Sequence, residues 1–437
     1  MRSRAVLAIL AALAAACGGP SPASSTDAAT SASCSTSGQV SFAQTTLQSW
    51  YYWYDKLPST DPGGFSTPEA YLEAVRYRPV DASFSYITSK AASEAFYSDS
   101  QFIGFGLAYK ATSATELRIA QTFPGGPAAQ AGLDRGDTLL TIGGRDVAGL
   151  LSSGEIGTIF GPEQVGYALD FTWRDTGGAT RAARLAKALV TIPTVSQTAV
   201  FDTGGRRVGY VHFRNFVQPS VAALDAAFTE LRDAGANELV LDLRYNGGGL
   251  VSVAQHLAGL VAGPADAGQV FVQFTHNDRQ SGRNTAYRLE SLPQALGVSR
   301  LVVIATRSTA SASEAVVNGL RPYMDVKVVG DATYGKPVGQ YGFDFCDKVL
   351  YPVAFLVTNA RGQADYFAGI PADCPAPDDV DHPLASAREA SLAEALNVVR
   401  TGRCSGSAAA AARVERRRRE GVVLPPADGW RLMVNAW

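Results

Sequence analysis

The sequence predicts a multidomain protein of mixed class, α+β in its first part and α/β in its second. Three observations carry this. Residues 41–98 contain "LQSWYYWYDKLP" and "TPEAYLEAVRY", helix-like stretches whose aromatic density points to packing. Residues 99–190 break into short apolar segments separated by glycine turns. From about residue 191, apolar strands, tight turns and amphipathic stretches alternate, the pattern of a mainly parallel sheet covered by helices. A chain of 437 residues has room for two or three such units.

The chain opens "MRSRAVLAILAALAAACGGP". Two arginines, an apolar run and small residues read as a secretory signal over 1–16, too short to span a bilayer as a mature helix. Cys17 resembles the acylated cysteine of bacterial lipoproteins, although Leu13 lies four residues before it, where three would be usual. A plain signal cut after Ala16 is the competing reading. Residues 17–40, rich in Gly, Ser, Thr and Ala, read as a flexible tether. These features predict an envelope protein anchored to a membrane by lipid. Gly18 after the cysteine leans, by the same resemblance, toward the outer membrane, facing the periplasm; a soluble periplasmic or secreted protein is the alternative. Formal net charge is −2, so no global field attracts nucleic acid.

Export permits disulfides. Beyond Cys17 there are four cysteines, which allow three pairings. The expectation is Cys346–Cys374 within the last domain and Cys34–Cys404 joining the ends. No C-x-x-C pair suggests zinc or redox chemistry, and no metal or cofactor is expected.

Along the chain, 41–98 reads as a small helical domain without chemistry. Within 99–190, "FIGFGLAYK" precedes "GGPAAQAGLDRGDTLLTIGG". This pairing resembles a PDZ domain, in which Gly104, Phe105, Gly106 and Leu107 would offer main-chain N–H groups to a peptide's carboxylate while the peptide adds as a strand. In 191–403, "RVGYVHFRNF", "ELVLDLR" and "RLVVIAT" read as strands, and "PSVAALDAAFTELRDAG" and "LVSVAQHLAGLV" as helices. The turns "YNGGG" and "STASAS" fall at strand carboxyl ends, where functional groups collect in such sheets. Residues 404–437 read as a disordered tail whose arginine run is solvated.

"VGDATYGKPVGQ" contains most of a phosphate-binding loop, but Pro337 stands where a Ser or Thr would hold magnesium, and a strand rather than a helix follows. There is no H-E-x-x-H, G-x-S-x-G or S-x-x-K, and the four histidines are scattered. What remains is a serine opening a helix, Ser311, and Lys336 in a glycine turn. A lysine can activate a serine if burial keeps its amine neutral. A helix N-terminus favours a developing oxyanion. Locally, Ser311-x-x-Glu314 also reads as a capping box, and capping serines are commoner than catalytic ones.

"ELVLDLRYNGGG", "STASASEAVVNGL" and "VVGDATYGKPVGQ", in this order, resemble the core of the carboxyl-terminal processing peptidases, or tail-specific proteases. The likeness spans roughly residues 41–403. It implies that core fold, with Ser311 as nucleophile, Lys336 as base and Gln340 orienting the lysine. It also implies an oxyanion site from the N–H groups of Ala312 and Gly248. Pro337 departs from the G-K-G-x-x-Q common in the family and would restrict the lysine loop. The resulting reading is an exported serine endopeptidase acting on proteins or peptides with apolar C-termini. A non-catalytic peptide or small-molecule binder on the same fold, or a hydrolase of esters and small amides, is the alternative. The last residues, "RLMVNAW", are apolar, and a PDZ-like groove would read them; an unrecognised disordered tail is the plainer expectation.

Overall fold

The computed structural model describes residues 33–406, 430–434 and 437. The signal, Cys17 and most of the tether lie outside the described residues. Among those described, no helix is long and apolar enough to cross a membrane.

Helix Thr36–Trp50 starts within the segment expected to be tether, because the Ser35 side chain caps it by accepting from the Gly38 N–H at 3.2 Å. Helix Pro68–Val75 is capped by Thr67 and has proline in its first turn. Their buried faces meet Val338, Phe345, Leu350 and Val353. Strand Tyr86–Ser89 pairs antiparallel with Lys348–Tyr351. The apolar surface of this N-terminal segment is thus completed by residues from the far end of the core.

The β-domain holds an antiparallel sheet in the order Leu107–Ala111, Leu117–Thr122, Thr138–Ile142, Ala168–Arg174, Thr180–Ala186. Phe105, Ile119, Leu139, Phe171 and Trp173 fill its interior. Strand Leu107–Ala111 lies at the sheet edge, and the "PAAQAGL" segment forms the short helix Pro127–Gln130.

The core is a six-stranded sheet ordered Val195–Thr203, Arg206–Phe213, Glu238–Asp242, Arg300–Ala305, Asp325–Gly330, Cys374–Pro375. Only the first pair is antiparallel. Glu238–Asp242 is buried along its whole length, as a strand covered on both faces must be. On one face Leu239, Leu241, Leu301 and Val303 pack against helices Ser220–Asp233, Val251–Ala262 and Ala312–Leu320. On the other, Val240, Val302 and Ile304 meet helix Ala390–Thr401. The mainly parallel, helix-covered sheet read from the sequence is present.

A buried ion-pair network joins the β-domain to the core. Lys110 Nζ lies 2.6 Å from Asp378 Oδ2, and Arg244 Nη1 contacts Asp378 Oδ1 at 3.1 Å and Glu389 Oε1 at 2.8 Å. Tyr245 donates its hydroxyl to Asp378 Oδ1 at 2.8 Å, and Arg135 Nη1 reaches the same hydroxyl at 3.2 Å.

The disulfide expectation is corrected. The bonds are Cys34–Cys346 and Cys374–Cys404. Helix Thr36–Trp50 packs on the 343–351 hairpin, with Phe42 stacked on Phe345 at 4.8 Å, which brings Cys34 to Cys346. Cys374 lies on the edge strand, and helix Ala390–Thr401 returns Cys404 to it.

The tail is also corrected at its far end. Trp430–Val434 is helical, and Met433 and Val434 are buried against Phe102, Phe123, Val190 and Val217. Apolar residues well separated in sequence supply what an unrecognised tail would lack.

Candidate active site

Strand Arg300–Ala305 ends at the sheet's carboxyl edge, and the chain turns through 306–311 into helix Ala312–Leu320. Ser311 is the N-cap, with φ 55° and ψ −115°. A left-handed non-glycine residue costs of order 1–3 kcal/mol and persists only where its surroundings hold it. Here the "YNGGG" turn holds it. The Asn246 carbonyl accepts from the Ala310 N–H at 3.0 Å and from the Ser313 hydroxyl at 3.0 Å. The Thr309 hydroxyl donates to the Leu243 carbonyl at 2.8 Å.

Lys336 is 2 % exposed, and burial pushes its amine down to about 8, against the opposing charges of Asp81 and Glu314. Its Nζ lies 2.6 Å from Gln340 Oε1. The Gln340 amide nitrogen donates to the carbonyls of Phe84 and Tyr351, both at 2.7 Å, which leaves its oxygen for the lysine. Gly335 precedes the lysine with φ 103°, and a Cβ there would come within 2.4 Å of the Phe367 carbonyl oxygen. Pro337 fits, because its carbonyl accepts from the Val357 N–H at 2.8 Å and strand Val338–Gln340 follows.

Glu314 ties the two halves together. It is fully buried, and Oε2 accepts the main-chain N–H groups of Ser311 at 2.9 Å and Lys336 at 2.8 Å. Oε1 accepts from Gly335 N–H at 2.7 Å and from the Thr333 hydroxyl. Burial raises its carboxyl to about 7, and these four donors pull the other way. The capping contact read from the sequence is real in part, since Glu314 does reach back to Ser311 N–H. The same carboxylate also fixes the lysine loop.

Gly248 packs against the serine: a Cβ on it would lie 2.9 Å from both Ser311 Cβ and Ala312 N. Its own N–H, however, donates to Asn246 Oδ1 at 2.9 Å, so Ala312 presents the uncommitted N–H at this corner. None of the four histidines is bonded to Ser311. His256 pairs with Asp225, His276 with Asn284 and Tyr341, and His382 with Asp379, while both ring nitrogens of His212 are buried without a partner.

Sequence reasoning missed Glu314 as a hub, and missed Asp81 and Phe84 altogether. Asp81 is fully buried and accepts from the N–H groups of Phe84 at 2.8 Å and Ser85 at 2.9 Å and from the Tyr51 hydroxyl at 3.0 Å, fixing the loop whose Phe84 carbonyl holds Gln340. The segment read as lacking chemistry thus supports the lysine. The Ser-x-x-Glu spacing pointed to Glu314; nothing local pointed to Asp81. In the β-domain, Leu107 N–H does meet a main-chain oxygen, that of Trp437, at 3.0 Å.

Comparison with known proteins points the same way. Residues 207–374 match the model of peptidase family S41, and residues 43–86 match that of the peptidase S41 N-terminal domain. The chain is similar to the chloroplastic C-terminal processing peptidase of Tetradesmus obliquus, 29% identical over 257 residues, covering 56% of this chain and 53% of that protein. It is likewise similar to a carboxyl-terminal-processing protease of Picosynechococcus, 28% identical over 235 residues and covering 53% of each. The chain therefore spans about half the length of these relatives. A solved structure from Bacteroides fragilis, assigned to the S41 proteases, superposes with a TM-score of 0.65 at 24% identity. It covers 82% of this chain and 96% of that one, a likeness of fold.

Proposed function

Because the chain belongs to peptidase family S41, the carboxyl-terminal processing peptidases, we propose that it is an exported serine endopeptidase acting through Ser311 and Lys336. The observation that carries this reading is the buried lysine. Its amine is depressed to about 8, its hydrogen bond to Gln340 fixes its direction, and one carboxylate joins its main chain to that of Ser311.

In the proposed reaction Ser311 Oγ attacks the peptide carbonyl carbon as neutral Lys336 takes the hydroxyl proton. The oxyanion forms against the Ala312 N–H at the helix N-terminus. Gly248 contributes its N–H only on releasing Asn246. The C–N bond then breaks, and the Lys336 ammonium returns the proton to the leaving amine. Water, deprotonated by the same lysine, attacks the acyl-enzyme; the C–Oγ bond breaks as the Lys336 ammonium returns that proton to Oγ, which regenerates the Ser311 hydroxyl and the neutral lysine. The substrate class is protein or peptide. The PDZ-like reading of the β-domain adds recognition of an apolar carboxyl-terminal segment through the 104–107 loop.

Two disulfides are consistent with an oxidising compartment, which supports export. The lipid anchor rests on Cys17 in the sequence alone. Cys17→Ser should release the protein from the membrane fraction, and wild type found wholly in the soluble fraction would refute the anchor.

The activity is tested by incubating wild type and Ser311→Ala with an unfolded protein and, in parallel, with a simple ester. Wild type should fragment the protein and Ser311→Ala should leave it intact. Protein left whole by wild type while the ester is hydrolysed would make it an esterase instead; binding without turnover of either would make it a binding protein.

A further inference from the structure

Strand Leu107–Ala111 is an edge, and its outer side is already taken. Trp437 N–H donates to the Leu107 carbonyl at 2.7 Å, and Leu107 N–H donates to a main-chain oxygen of Trp437 at 3.0 Å. This exchange of both bonds between one pair of residues is the close pair of an antiparallel ladder, so residue 437 sits where an added strand would begin. A Cβ on Gly104 would come within 2.7 Å of the Trp437 carbonyl carbon, so glycine is what allows the approach.

The side chain is received as well. The Trp437 indole stacks on Tyr109 at 5.4 Å and lies 4.8 Å from Phe160. The Arg431 guanidinium sits 4.6 Å from its centroid and pairs with Glu163 at 2.8 Å. Two aromatic rings and a guanidinium against one indole form a site for an aromatic residue, worth more than area burial alone. The helix Trp430–Val434 supplies a second anchor, because Met433 is 4 % and Val434 2 % exposed. Among their partners is Val217, next to Phe216, which hydrogen-bonds to Gly248 and Leu250 on either side of the turn packed on Ser311.

We propose that Trp437, with helix Trp430–Val434 anchored nearby, is the resident occupant of the β-domain's edge groove, which binds extended peptide segments carrying an aromatic residue where Trp437 sits. Any such segment has to displace the chain's own. This deepens the peptidase reading, on which its consequence for cleavage rests: substrates carrying an aromatic residue at that position compete with the chain's own segment for the groove. An occupant on the same chain acts at high effective concentration, so it masks the groove even if its intrinsic affinity is weak.

The experiment uses the full chain, a variant lacking residues 430–437, and Trp437→Ala in the full chain, each titrated with a fluorescein-labelled peptide of residues 430–437. Both variants should bind the peptide about tenfold more tightly than wild type. Trp437→Ala keeps Met433 and Val434 in place and guards against a deletion that fails to fold. Replacing the last tryptophan of the peptide by alanine, or Tyr109→Ala in the deletion variant, should abolish the gain. Equal affinity for wild type and Trp437→Ala, or binding indifferent to the peptide's tryptophan, would overturn the proposal. Cleavage of an unfolded protein is followed separately, and the deletion should raise its initial rate, with added peptide restoring the lower one. Tail-dependent peptide binding in a protein that cleaves nothing would retire the peptidase reading and leave the groove's occupant established.

Discussion

The Nζ of Lys336 lies 2.6 Å from Gln340 Oε1 and has almost no contact with water. A buried ammonium is costly, and burial is the largest influence on this amine, depressing it from 10.5 to about 8. In the proposed mechanism it is the neutral form that takes the proton from Ser311. Peptidase activity should therefore rise with pH through a midpoint near 8. Lys336→Ala and Lys336→Arg should both be inactive with the fold retained, since guanidinium stays protonated. A midpoint near 6.5 that vanishes on mutating one histidine would defeat the lysine mechanism.

Glu314→Gln tests the carboxylate that joins serine and lysine loops. Four donors converge on its two oxygens. An amide has one acceptor oxygen, so two buried donors lose their partner, each costing about 1–3 kcal/mol. Chemical denaturation should therefore report a loss on the order of 2–6 kcal/mol. The negative charge of Glu314 also raises the lysine, so its removal should move the rate midpoint to lower pH. An unchanged midpoint with unchanged stability would remove Glu314 from the account.

The parallel core was legible because its strands are runs of buried apolar residues punctuated by "YNGGG" and "STASAS", signals contained within a dozen residues each. Ser311, Lys336 and Gln340 were singled out by resemblance and spacing; of these the structure brings the lysine and glutamine into direct contact. Asp81 was not, because its importance lies in Phe84 and Tyr51 facing a loop some 250 residues away. The cysteine pairing failed for the same reason. Which cysteines meet depends on helix Thr36–Trp50 docking on the 343–351 hairpin, and no local pattern encodes that.

Asp378 should be the most damaging single loss at the junction of β-domain and core. Lys110 and Arg244 hold its carboxyl well below the usual range despite burial. Removing one partner of a buried pair typically costs about 3–5 kcal/mol, so Asp378→Ala should cost about that much. The sign of the pH dependence follows from the depressed value. The stabilisation is complete above about pH 4 and is lost as pH falls below it toward the folded-state value. Wild type should lose more stability than Asp378→Ala on acidification from pH 5 to 3. Parallel losses would mean the carboxylate is not what couples the two parts.

Non-reducing peptide mapping should recover Cys34 with Cys346 and Cys374 with Cys404, and no other pairs. The two bonds should differ in what they protect. Cys374–Cys404 closes a separation of 30 residues, pinning helix Ala390–Thr401 to the edge of the central sheet, and its loss should cost about 3 kcal/mol of global stability. Cys34–Cys346 ties the start of a helix that already has its Ser35 cap and the Phe42–Phe345 stack. Replacing Cys34 by serine should therefore loosen the helix start locally. Hydrogen exchange should quicken over residues 36–50 and 343–351 while the core strands Glu238–Asp242 and Arg300–Ala305 keep their protection. Exchange that quickens equally in the core strands would mean that this bond, and not the apolar packing beneath it, holds the N-terminal segment in place.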